Sequence, residues 1–120
     1  MAGFELMTAV ENNLPVIWVI FNDAQFKLVM LYQLANYAKT GLVELAAPDF
    51  AAYAHACGAD GYTVDSLEEF RSAYAAALDS RRPSVIDAKI TRWALPHYSS
   101  SPKGTLHGIW ETLEERLRGD

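Results

Sequence analysis

The sequence predicts an α/β fold, a parallel sheet flanked by helices. Three observations carry that expectation. Helix-like and strand-like segments alternate along the chain, the pattern from which parallel sheets are wound. Val16-Ile17-Trp18-Val19-Ile20-Phe21 runs without a polar break and is rich in β-branched residues, as a strand covered on both faces requires. Helix start signals, Asp49 before Phe50 and Ser66 paired with Glu69, fall between the apolar runs.

The elements follow in order. Gly3 to Asn13 reads as a helix with Phe4, Met7 and Val10 at helical spacing, stopped by Asn12-Asn13 and Pro15. Val16 to Phe21 is the first and most buried strand, ended by Asn22-Asp23. Phe26 to Tyr37 is apolar and aromatic, a short helix or an ordered loop, and Thr40 to Pro48 is irregular. Asp49 is a good N-cap for Phe50 to Cys57, with Gly58 as the stop. Gly61 to Val64 is a short strand. The Ser66–Glu69 capping box opens a helix through about Leu78 that should bury Leu67, Phe70, Tyr74, Ala77 and Leu78. Arg81 and Arg82 lie near its negative end. Ser84 to Ile90 is the last strand, Trp93 to Gly104 a connector rich in Ser and Pro, and residues 105–118 an amphipathic helix built on Leu106, Ile109, Trp110, Leu113 and Leu117. Residues 1–120 are thus read as a single partial domain, with an α/β core over 1–92.

Bulk properties narrow the function. A net charge of −5 and the absence of any Lys/Arg run argue against nucleic-acid binding. The longest apolar run, Pro15 to Phe21, is too short for a bilayer, and the first residues do not resemble a secretory leader. The lone Cys57 cannot form an internal disulfide and sits in an Ala-rich stretch, so a buried thiol and a reducing cytoplasm are expected. His55, His97 and His107 have no metal-ligand spacing, and the serines near His97 lack a nucleophile elbow.

Asn22-Asp23 is the best site candidate. Ligands of open α/β sheets gather beyond the carboxyl ends of strands, and oxygen donors there suit Mg²⁺ bound with phosphate. The same dipeptide is also a common turn.

Around this dipeptide stand Glu5-Leu6-Met7-Thr8-Ala9, Asn13-Leu14-Pro15, Pro48-Asp49-Phe50-Ala51 and Arg82-Pro83-Ser84-Val85-Ile86-Asp87, and together these residues resemble thiamine-diphosphate-dependent enzymes of the acetolactate-synthase type. Met1 to Val16, with Glu5-Leu6-Met7-Thr8-Ala9 and Asn13-Leu14-Pro15, is similar to the helix and strand that follow Gly-Asp-Gly in that family. Pro48-Asp49-Phe50-Ala51, Cys57-Gly58-Ala59, Ser66 to Phe70 and Arg82-Pro83-Ser84-Val85-Ile86-Asp87 fit as well. The resemblance implies part of a doubly wound thiamine-diphosphate-binding domain. It makes the Asp23 carboxylate and the Gln25 main-chain carbonyl Mg²⁺ ligands, has Asn22 support the metal–diphosphate loop, and lays Phe26, Lys27 and Leu28 along the cofactor. Lys27 stands where many relatives have glycine, where it either helps neutralise phosphate or points to solvent. Asp23 replaces the second Asn of the motif and keeps an oxygen donor.

The resemblance also implies what lies elsewhere. Gly-Asp-Gly would fall about three residues before Met1, and its aspartate would be the other carboxylate ligand. The glutamate that activates the aminopyrimidine ring belongs to another domain. No residue here is therefore assigned a catalytic role, and the chain alone is expected to be catalytically incomplete. The intact enzyme would decarboxylate a 2-keto acid and ligate the product to an acceptor. The alternatives are a truncated, inactive oligomerisation or interaction module, and a split enzyme whose missing part a complementing chain supplies. A homo-oligomer or such a complementing chain is the expected partner.

Overall fold

The computed structural model describes residues 5–46 and 48–92 of the chain. In chain order the elements are α1 (Glu5–Glu11), β1 (Ile17–Asn22), α2 (Lys27–Tyr37), α3 (Phe50–Ala56), β2 (Asp60–Val64), α4 (Leu67–Ser80) and β3 (Ser84–Lys89). Tertiary contacts gather the described residues into two units, 5–23 with 48–92, and 24–46.

The first unit is a parallel sheet of order β1-β3-β2, in which Ile17 to Asn22 pairs with Ser84 to Lys89 and Asp60 to Val64 with Ser84 to Ala88. Parallel strands need crossover connections, and α4 supplies the one from β2 to β3. Because successive side chains alternate across a sheet, β3 divides into two faces. Val85 packs with Leu6, Ala54 and Ala59, joined by Val10, Trp18, Ile20, Phe50 and Cys57, on the side of α1 and α3. Ile86 and Ala88 pack with Val64 and Ala73, joined by Ile17, Tyr62 and Phe70, on the side of α4. The α/β class with a parallel sheet is therefore as the sequence predicts.

Local chemistry sets the boundaries. The Asp49 carboxylate accepts from the Ala52 amide at 2.8 Å, and Gly58, at φ 83°, follows the helix it opens. Ser66 Oγ accepts from the Glu69 amide at 3.3 Å, while the Glu69 carboxylate accepts from the Asp65 amide at 3.0 Å, one residue before the cap. Arg81 is the left-handed cap of α4, and Arg82 donates to the Gly58 carbonyl at 2.9 Å and pairs with Asp60 at 3.4 Å. Gly61 has a packing reason: a side chain there would meet the main chain of Ala51 on α3.

Several expectations need correction. β3, not β1, is the most buried strand: Ser84 to Ala88 are all buried, whereas β1 pairs only with β3 among the described residues and Phe21 is 72% exposed. An unbroken apolar run identifies a strand but not its place in the sheet. On α1 the core face is Leu6 and Ala9, with Met7 turned outward. On α4 it is Ala73 and Ala77 with Phe70 half-buried, while Leu67, Tyr74 and Leu78 are exposed. Alanines let the helix approach the sheet closely, so the larger residues are left at the flanks; Tyr74 stacks on Phe70 at 5.9 Å between ring centroids. Cys57 is half-buried, and the uncertain segment resolves into the 11-residue helix α2. The expected connector and final helix lie outside the described residues.

The second unit is small. An antiparallel bridge joins Gln25 to Glu44, flanked by Phe26 N–H to the Val43 carbonyl and Leu45 N–H to the Ala24 carbonyl, both 2.8 Å. Gln33 on α2 bonds Gly41 in both directions, donating at 3.1 Å and accepting at 2.8 Å. Among the described residues of this unit, Leu31 and Val43 are buried.

Candidate functional site

The carboxyl end of β1 carries the sequence-predicted site. Asn22 is the last residue of the strand and Asp23 follows it, both half-buried in the first unit. Asn22 is held twice by β3. Its carbonyl accepts from the Ile90 amide at 3.1 Å, and its side-chain amide donates to Asp87 Oδ1 at 3.0 Å. Asp87 Oδ2 accepts from Lys89 Nζ at 2.6 Å. Asn22 is in register with Lys89, and Asp87 precedes Lys89 by two positions, so all three side chains share the sheet face covered by α1 and α3.

The chain then bends at Ala24, whose φ of 57° is left-handed, a conformation that costs a non-glycine residue about 1 kcal/mol. The chain passes from the first unit to the second between Asp23 and Ala24. In the second unit the bridge uses the Ala24 carbonyl and the Phe26 amide, so the Gln25 carbonyl is directed to the other side of the bridge from Glu44. The Gln25 side chain is tied to Glu44 at 2.7 Å. Phe26 is the N-cap of α2 and makes no side-chain capping bond. Lys27 opens the helix half-buried, and Phe26 and Leu28 are exposed.

Taken one by one, these groups are of the kinds that a metal-bound diphosphate uses. Asp23 offers a carboxylate and Gln25 a carbonyl, both hard oxygens. The start of α2 combines main-chain N–H groups with the Lys27 ammonium, which favours an anion. No three His, Cys, Asp or Glu side chains among the described residues cluster as a metal cage, so a cation here would take its remaining ligands from phosphate, water or other protein groups. The residues fit the group that the sequence resemblance implies.

Other candidates do not form a site. His55 is exposed on α3, and His97 and His107 lie outside the described residues. On the same helix a hydrogen bond with Cys57 raises the Tyr53 phenol above its ordinary value. Asp87, which holds the Asn22 carboxamide, is a residue that the sequence did not single out on its own. Its signal was an acidic residue inside the apolar run Ser84 to Ala88.

Comparison with known proteins identifies the family. The sequence model described as "Thiamine pyrophosphate enzyme, C-terminal TPP binding domain" matches residues 1–88. The chain belongs to this family of thiamine-diphosphate-binding domains. It is 28% identical over 89 residues to an acetolactate synthase of Bacillus subtilis (strain 168), covering 74% of this chain and 16% of that protein. It is 33% identical over 97 residues to a sulfoacetaldehyde acetyltransferase of Castellaniella defragrans, covering 77% of this chain and 16% of the relative. Among solved structures, benzoylformate decarboxylase from Polynucleobacter necessarius superposes with a TM-score of 0.71 at 27% identity, covering 79% of this chain and 18% of that one. The chain thus spans only a small part of the length of the relatives it matches. No helix among the described residues is long and apolar enough to cross a membrane.

Proposed function

We propose that this chain binds thiamine diphosphate with Mg²⁺ through Asn22 to Leu28, as the cofactor-binding part of an acetolactate-synthase-like enzyme acting on 2-keto acids. The observation that supports this most directly is the end of β1. A carboxamide ends a parallel strand and a carboxylate follows it, in a chain of a thiamine-diphosphate-binding family. In this reading the Asp23 carboxylate and the Gln25 carbonyl ligate the metal, and Asn22 supports the turn. Lys27 neutralises phosphate charge, and Phe26 and Leu28 lie against the cofactor. Residues 1–120 act as one partial binding domain, in the cytoplasm.

Thiamine diphosphate, when bound, supplies the carbanion chemistry of decarboxylation and carboligation. The described residues bind and orient. Isothermal titration calorimetry of the full chain with Mg²⁺ and thiamine diphosphate tests the reading. Metal-dependent binding is expected, weakened at least about tenfold by Asp23→Ala, or 1.4 kcal/mol. No metal-dependent heat at millimolar ligand would sink it.

A different observation favours a partner. Among the described residues β1 has β3 on one side only, and Leu14, Val16 and Phe21 are exposed along this segment. An apolar edge strand recruits another strand, from a second copy or from a complementing chain. The fold would then serve as an oligomerisation or interaction module even with no cofactor bound. Size-exclusion chromatography with light scattering is expected to show self-association, or complex formation with the complementing chain; a stable monomer that captures no such chain contradicts this.

A further inference from the structure

We propose that Asp87 is a positioning residue for the cofactor turn, acting through the Asn22 carboxamide; this rests on the reading of Asn22 to Leu28 as that turn. The starting point is an expensive group in an unexpected place. Asp87 lies on the central strand, fully buried, opposite Ile20 on one side and Thr63 on the other. Burying a carboxylate there is costly unless it is paired and hydrogen-bonded. A threonine or valine would fill the position without that cost. The carboxylate is therefore to be explained by what its oxygens hold.

They hold two different things. Oδ2 takes the Lys89 ammonium at 2.6 Å, which compensates the charge from the wetter rim, where the Lys89 side chain is 40% exposed. Oδ1 takes the Asn22 amide at 3.0 Å. Charge compensation requires the first contact and not the second.

The second contact fixes a direction. A carboxylate accepts only, so Asn22 must present its NH₂ to Asp87 and turn its Oδ1 away. The strand bond from Ile90 holds the Asn22 main chain at 3.1 Å. Asn22 is thus set in backbone and in side chain by the same strand, immediately before Asp23. A neutral amide at position 87 would offer an oxygen or a nitrogen equally well, and Asn22 could flip. Asp87→Asn therefore changes polarity at constant shape, which separates positioning from packing.

The experiment uses the full chain as wild type, Asp87→Asn, Asn22→Ala and the double variant. In the cofactor-free chain, ¹⁵N NMR of side-chain amides identifies the Asn22 pair by its loss in Asn22→Ala. The proposal expects slow solvent exchange of that pair in wild type, and exchange about tenfold faster in Asp87→Asn with the backbone spectrum retained. Titration with Mg²⁺ and thiamine diphosphate should show about tenfold weaker binding for Asp87→Asn, the scale of losses when outer partners of ligand residues are removed. The double variant should bind no worse than the weaker single one, because both changes break the same link. Should Asp87→Asn fold poorly, adding Lys89→Gln removes the ammonium left without its carboxylate, and the same readouts apply. Wild-type binding that Asp87→Asn leaves unchanged, or an Asn22 amide that exchanges freely in wild type, overturns the positioning role and leaves the cofactor reading standing. Wild type that does not bind overturns both.

Discussion

Gly61→Ala tests whether the approach of α3 to β2 is set by a missing side chain. A Cβ built on Gly61 meets the Ala51 main chain, with Cα at 2.8 Å and the carbonyl carbon at 2.9 Å, and the carbonyl oxygen closer still. Main-chain atoms of a helix cannot rotate aside, so helix and strand must separate. Ordinary contact begins near 3.4 Å and the oxygen is the atom to be cleared, so the layers move apart by roughly an ångström, which forfeits up to about half of the dispersion energy per contact across that surface. Ala54 and Ala59 form part of the buried cluster on this side of the sheet and would loosen with it. Overpacking of this kind costs about 1–3 kcal/mol. Against it, losing a glycine from the unfolded chain stabilises by about 0.4–1 kcal/mol. The steric effect wins, and a net loss of about 1–2 kcal/mol is expected. Gly41→Ala is the control, because nothing lies within 4 Å of its Cβ and only the entropic gain remains. Urea denaturation at constant m-value reads both as shifts in midpoint of opposite sign. A Gly61→Ala chain as stable as wild type, or a Gly41→Ala chain equally damaged, would refute the reasoning.

Two further stability predictions concern local conformation. Ala24→Gly relieves a left-handed residue and should stabilise by up to about 1 kcal/mol, or by less because glycine also gains freedom in the unfolded state; destabilisation beyond roughly 0.5 kcal/mol, the scale of ordinary surface substitutions, would contradict it. Ser66→Ala removes the acceptor for the Glu69 amide and should cost about 1 kcal/mol, read by thermal unfolding as a fall in midpoint, and an unchanged midpoint would show that the cap contributes nothing.

What was legible in the sequence was what local physics decides. Asp49 and Ser66 each satisfy an amide at the start of a helix, and that requirement acts over three residues. The strand ending at Asn22-Asp23 was legible because an apolar run followed by polar residues has few other meanings. Placement in the sheet was not legible, since the central position of β3 depends on pairing with β1, a strand more than 60 residues away, as the bond from Asn22 to Asp87 across 65 positions shows. The core face of α4 was misjudged for a related reason. Periodicity offered Leu67, Tyr74 and Leu78 alongside Ala77, and only the closeness of helix and sheet decides that Ala73 and Ala77 go inward. Asp23, Gln25 and Lys27 were located by motif, and the bridge that directs the Gln25 carbonyl depends on Glu44, in a segment the sequence marks only as irregular.

The contrast between β1 and β3 bears on how such a turn is made rigid. β1 carries the proposed ligand-bearing end but is itself half-exposed, with a single described neighbour. An edge strand frays more readily than a central one, and its last residue is the least constrained. β3, the strand with neighbours on both sides and two covered faces, lends rigidity to Asn22 through main chain and side chain. Main-chain pairing alone carries it only as far as the Ile90 bond. A side-chain contact to a fully buried group extends the constraint to the carboxamide itself. A buried charge on the central strand is costly in isolation, but it is also the group least free to move, because leaving its site would expose the core and break its pair with Lys89. The cost of the carboxylate and the fixed geometry of the turn are on this argument two aspects of one arrangement, which is why neutralising Asp87 should relax the end of β1 before it unfolds the sheet.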